Sequence, residues 1–171
     1  MAVDFTDEGY LYPGWHDYTI DRFKQDFVSN FDESITRKTI FNGFEQCITF
    51  FISTGLRNFE LWVDGSYTTS KSNPGDIDFC IYIRSSDIDK LSLDNKDKLY
   101  KLLSEDVRKK IKQLLMCHIF FVNNVEDMPE SKLKDEWLEN RKYWIDFFSH
   151  DRDNTEKGIV RIVYNGGVDV V

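Results

Sequence analysis

The stretch from Leu61 to Ile83, LWVDGSYTTSKSNPGDIDFCIYI, constrains the fold more than any other part of the chain. Two apolar runs, Phe59 to Val63 and Asp76 to Ile83, flank a polar segment of Ser, Thr, Asn, Pro and Gly, which predicts two strands joined by a loop. Side chains alternate along a strand, so Asp76 and Asp78 share one face. Their roots are close enough that both stay ionised cheaply only with a cation between them. Mg²⁺, or Mn²⁺, suits such a pair: it takes one or two protein carboxylates, keeps several waters and fills its other positions with phosphate oxygens.

The residues ahead of the pair fit the same chemistry. Gly65 has no side chain, so the backbone at the end of the first strand can come close to a triphosphate. The Ser66 hydroxyl and amide can donate to its oxygens, and Lys71 in the loop adds a point charge. Gly65, Ser66, Lys71, Asp76 and Asp78 together describe a site for in-line attack on an α-phosphate, where metal and donors neutralise charge that develops on the transferring group.

Around this centre the sequence predicts one domain over 1–171 of α/β (α+β) type, a small mixed sheet with helices packed on one side. Pro13-Gly14 predicts a turn, and Asp17 or Thr19 caps a short helix to about Ser29. A longer helix starts at Asp32 or Ser34, carries Ile40, Phe44, Cys47, Ile48 and Phe51 on one face, and stops at Gly55. Asp97 to Leu115 is helical with a break at Ser104, whose hydroxyl is placed to cap the second half, and its Lys101, Arg108, Lys109, Lys110 and Lys112 form a basic face. His118 to Val122 predicts a strand, Ser131 to Ser149 a helix and Ile159 to Tyr164 a last strand, with a frayed end from Gly166-Gly167. The cleft is expected at the sheet's open edge.

Charge and cysteine usage narrow the partners. With 22 Lys plus Arg against 30 Asp plus Glu, the net charge is −8, which argues against a broad basic face for duplex DNA. Most of the excess lies in the first 35 residues, an expected solvated face or a docking surface for a basic partner. Cys47, Cys80 and Cys117 are widely spaced, fitting reduced thiols and neither a disulfide framework nor a zinc site. No charged-then-apolar leader and no run of about 20 apolar residues is present, so the expected location is the cytoplasm, away from membranes.

This constellation resembles the nucleotidyltransferase superfamily of the DNA polymerase β type, whose hallmark is Gly-Ser or Gly-Gly followed one loop later by Asp-x-Asp or Asp-x-Glu. It is also similar to an uncharacterised prokaryotic branch of that superfamily, through Leu11 to His16, Trp62 to Asp78 and Phe147 to Ile159. Tyr12 departs from that pattern where a Pro is expected, as do Asn154 and Glu156 where Gly and Pro are expected. The resemblance implies a nucleoside triphosphate substrate, a nucleotidyl group passed to a hydroxyl acceptor such as a protein, and a third carboxylate on the next core strand. That strand, Cys117 to Val122, holds no acid. His118 is its polar candidate, as a general base, a metal ligand or a histidine satisfied by neighbouring backbone. The missing acid and the acidic N-terminal segment leave a second expectation, a non-catalytic regulator, antitoxin or defence component that acts by binding a protein.

Overall fold

A computed structural model describes residues 3–170. The ends of the single-domain reading, positions 1, 2 and 171, lie outside the described residues. Six strands form one mixed sheet: β1 (Gly14–Asp17), β2 (Phe59–Asp64), β3 (Ile77–Arg84), β4 (Cys117–Asn124), β5 (Gly158–Asn165) and β6 (Val168–Val170). The spatial order is β1-β5-β2-β3-β4, and β6 pairs with β5 as well. β3 with β4 and β1 with β5 run parallel, whereas β2 is antiparallel to both of its neighbours.

The helices follow from the spacing of apolar residues. Thr19 caps α1 (Ile20–Lys24) by accepting from the Arg22 amide at 3.2 Å, and the chain then widens into a π-helical turn over Gln25–Ser29. α2 (Arg37–Ser53) buries Ile40, Phe44, Cys47, Ile48 and Phe51 and ends ahead of Gly55, whose φ of +87° suits a residue without a side chain. Between β3 and β4 lie α3 (Ser85–Asp89), α4 (Leu93–Leu103) and α5 (Glu105–Leu115). The break at Ser104 is present, but its hydroxyl donates back to the Lys101 carbonyl at 2.7 Å and does not cap α5. α6 (Lys132–Ser149) starts at Ser131, which accepts from the Lys134 amide at 3.2 Å.

Alternation along the strands builds two cores. Leu61, Val63, Phe79, Ile81, Ile119, Val160 and Ile162 point to the α2 side, where Phe44 meets Phe79 edge-on at 5.0 Å. On the other face Trp62, Cys80, Tyr82, Val122 and Ile159 are covered by Trp144, Ile145 and Phe148 of α6. The mixed α+β sheet is the expected one, with one difference in layering: α6 crosses to the second face because its apolar stripe has that second core to bury.

Two short strands differ from the sequence expectation. Pro13-Gly14 leads into β1, whose Gly14 to Asp17 pair with Gly158 to Arg161, and Arg161 grips the Asp17 carboxylate at 2.6 and 3.0 Å. Gly166 and Gly167 do not begin a frayed end. Their φ values of +65° and +91° turn the chain into β6, where Asp169 accepts from the Ile20 amide at 2.7 Å. The three cysteines are buried and free, and no helix among the described residues is long and apolar enough to cross a membrane.

Candidate functional site

Strand pairing places the polar residues in one row. Asp64 at the end of β2 is the register partner of Asp78 on β3, which is in turn the partner of His118 on β4. All three share parity with Trp62, Cys80 and Phe120, so they lie on the α6 face. The row runs across the ends of the inner strands β2 and β3 to His118 on β4, the last strand of the sheet.

Asp78 Oδ1 lies 3.0 Å from His118 Nδ1. Lys112 of α5 reaches into the same place, its ammonium 3.3 Å from Asp76 Oδ2 and 3.2 Å from His118 Nδ1. That ring nitrogen either donates to Asp78 or accepts from Lys112, since it carries one proton or one lone pair in the ring plane. Gly65 follows Asp64 with φ +80°, and a Cβ built there would run into the Asp78 carboxylate. Only glycine fits at this point of the row.

Burial pushes the Asp78 carboxyl above its ordinary range, and the charge of Asp76 adds to the rise, while His118 and Lys112 oppose it. Asp64 is buried more deeply and is pushed up to about 6, mainly by desolvation, against the pull of Lys157. Lys157 donates to Asp64 Oδ2, and Asp64 Oδ1 has no hydrogen-bond partner among the described residues.

Of the residues singled out in the sequence, the structure gathers Asp76, Asp78 and His118 beside Gly65. Ser66 is the second residue of a 3-10 turn (Gly65–Thr68) next to them, and its carbonyl accepts from Thr69 Oγ1 at 2.9 Å. Lys71 enters differently: its side chain is exposed, and its carbonyl accepts from Arg37 at 2.6 Å. Among the described residues no group of three or more His, Cys, Asp or Glu stands close enough to hold a metal ion. His16 bonds the Tyr12 carbonyl at 2.7 Å, and Asp151 takes the Tyr10 hydroxyl at 2.7 Å together with amides of its own loop.

Sequence reasoning missed Asp64, Lys157, Lys112 and Arg37. Asp64 had a signal, since alternation from Trp62 puts it on the same face as the pair. Lys112 was visible only as one of several basic residues on a helix.

A family profile matches residues 3–163. The chain belongs to DUF6932, a family of unknown function. No curated protein and no solved structure matches this DUF6932 chain.

The raised Asp78 carboxyl gives a pH-dependent expectation. A carboxyl whose folded pKa lies above its unfolded value, about 3.9, stabilises fully below that value and loses the contribution as pH rises through the folded pKa. Asp78→Asn should therefore leave the metal-free protein at pH 7 as stable as the parent or more so, with the gain vanishing below about pH 4. Thermal melts of both proteins between about pH 3.5 and 7.5 check this. A drop in midpoint at pH 7 would mean that Asp78 supports the fold.

Proposed function

We propose that this protein binds a nucleoside triphosphate with Mg²⁺ or Mn²⁺ and passes a nucleotidyl group to a hydroxyl acceptor, a protein side chain being a suitable one. The observation that carries this reading is the approach of Asp76, Asp78 and His118 beside a glycine whose absent side chain leaves room against the Asp78 carboxylate. The resemblance to nucleotidyltransferases of the polymerase β type supports the same reading, and the buried thiols suit a reducing compartment, the cytoplasm.

The donor set fits a hard divalent cation. Two carboxylates two residues apart, Asp76 just ahead of β3 and Asp78 on it, the latter raised by burial and by the charge of Asp76, are relieved by a cation that needs no more than two protein oxygens. Asp76 and Asp78 would hold it, and it would supply charge neutralisation on the transferring phosphoryl group. Ser66 donates to phosphate oxygens across the open backbone at Gly65, and Lys71 adds positive charge from the loop. With Nδ1–H donated to Asp78, His118 presents the lone pair of Nε2 and takes the acceptor's hydroxyl proton. The acceptor oxygen bonds to the α-phosphorus as the bond to pyrophosphate breaks.

One observation favours the second reading, a non-catalytic regulator of the same fold. Lys112 already answers the charge of Asp76, and the strand beside Asp78 offers an imidazole and no third acid. Such a protein would hold nucleotide without releasing pyrophosphate.

Thermal shift and calorimetry test the binding. At a hundredfold excess over Kd, triphosphate with Mg²⁺ should add ~2.7 kcal/mol of stability, or roughly 2–4 °C for each kcal/mol at this chain length. Asp76→Asn and Asp78→Asn should abolish the metal-dependent part. A flat profile with all four triphosphates and either metal would sink the reading, and pyrophosphate release separates enzyme from regulator.

A further inference from the structure

The row of Asp and His residues continues into a surface that the phosphate chemistry does not use. Phe120 follows His118 by two positions on β4, and the two rings lie 4.2 Å apart. From α6, Trp144 packs on Phe120 at 4.4 Å and Phe147 approaches it at 6.4 Å. Phe148 is fully buried beneath them.

One turn apart on the same helix, Tyr143 and Phe147 face each other at 6.1 Å with their planes only 23° apart. They are 57% and 51% exposed, although the helix meets its need for burial through Trp144, Ile145 and Phe148. Two large rings are therefore left in water, held in parallel and supported from below. Near-parallel rings at this spacing accept another flat π-system by offset stacking.

We infer that Tyr143 and Phe147, backed by Phe120 and Trp144, form the platform on which the base of the bound nucleoside triphosphate stacks. The inference rests on the nucleotide reading above and adds the base end of the ligand to it. Ring contacts run without a gap from His118 through Phe120 to Phe147, so an occupant whose phosphates bring Mg²⁺ to Asp76 and Asp78 has flat, apolar rings beside its other end. A nucleoside triphosphate has that form. Phe147 presents no hydrogen-bonding group, and stacking on it and on the Tyr143 ring reads the face of a base and not its identity. ATP and GTP should bind alike, and pyrimidine triphosphates, with less π-area, more weakly.

The test titrates the full chain with ATP and, separately, with inorganic tripolyphosphate, each with excess Mg²⁺. Calorimetry is the main readout, and tryptophan emission is a second, because Trp144 touches both Tyr143 and Phe147. Phe147→Ala should weaken ATP by on the order of 10-fold or more, with Phe147→Tyr close to the parent protein and tripolyphosphate affinity unchanged in both. Circular dichroism checks that the variants are folded, which a half-exposed helical position allows. Equal ATP affinity in parent and Phe147→Ala overturns the platform while leaving the phosphate site standing. Failure of the parent to bind either ligand overturns the nucleotide reading and this inference with it. A dimer in sedimentation that Phe147→Ala dissolves, with ATP affinity unaffected, would assign the rings to self-association and overturn the platform.

Discussion

Replacing Arg37 by Met is expected to lower the stability of the protein by about 3–5 kcal/mol, a fall of roughly 6–20 °C in the unfolding midpoint. Arg37 is fully buried at the first position of α2, and its guanidinium makes five hydrogen bonds to four carbonyls. Nη1 donates to Phe27 and Tyr67 at 2.9 and 2.7 Å, and Nη2 to Thr69 and Lys71 at 2.8 and 2.6 Å. Burial draws its pKa down to about 10, and the faces of Phe31 and Tyr67 lie at 3.8 and 5.0 Å from its centre. Each carbonyl stranded by the substitution costs about 1–3 kcal/mol, less where the loop opens to water. Arg37→Lys should rescue little, because one ammonium cannot span a fork of four acceptors. Since three of these carbonyls, those of Tyr67, Thr69 and Lys71, belong to the segment that carries Gly65 and Ser66, triphosphate affinity should fall in whatever fraction of Arg37→Lys remains folded. Chemical denaturation measures the first effect, and a loss under about 1 kcal/mol would mean that other contacts hold the loop.

Lys157→Met should be comparably damaging, by about 3–5 kcal/mol at pH 7.5, because it leaves the Asp64 carboxylate buried without its cation. Here the pH dependence carries the argument. Asp64 already titrates at about 6 in the folded protein, above its unfolded value near 3.9, so its favourable contribution is complete below about pH 4 and is lost as pH rises through 6. Removing the ammonium moves the folded pKa higher still, and the variant loses stability over a wider range on the alkaline side. The gap between parent and Lys157→Met should therefore be widest at pH 7.5 and narrow toward pH 4.5, on the order of the whole effect. Adding Asp64→Asn to Lys157→Met should recover part of the loss at pH 7.5, a coupling that a double-mutant cycle reads directly. A gap that does not change with pH would show that Lys157 acts through packing of its stem.

The parts of this architecture that were legible in the sequence are those in which one residue type repeats at the period of its element. Ile77, Phe79, Ile81 and Ile83 announce a strand, and Ile40, Phe44, Cys47 and Phe51 a helix face, because burial selects them one by one. The place of Asp78 on β3 was legible from the same alternation, whereas Asp76, expected on the strand, lies just ahead of it. β1 was not: Gly14, Trp15, His16 and Asp17 are largely exposed and show no alternation, and the strand exists because β5 offers a free edge. The layering of α6 depends on which face of the sheet remains uncovered, a property of the assembled sheet. The pairings of Asp64 with Lys157 and of Arg37 with the loop carbonyls join residues 93 and 30 or more positions apart, and nothing local in either partner marks the other.

The place of β5 in the sheet bears on how the chain acquires its structure during synthesis. β5 lies between β1 and β2, so the strand that completes the pairing of both leaves the ribosome after every helix has been made. Until then β2 has one unsatisfied edge, β1 has no partner, and Asp64 waits for an ammonium that has not yet been translated. A nascent chain halted before Gly158 should therefore stay open to protease at β1 and β2 even with α2, β3 and β4 in place, and should close abruptly once β5 emerges. Such a late, non-local closure makes folding slow for a chain of this helical content.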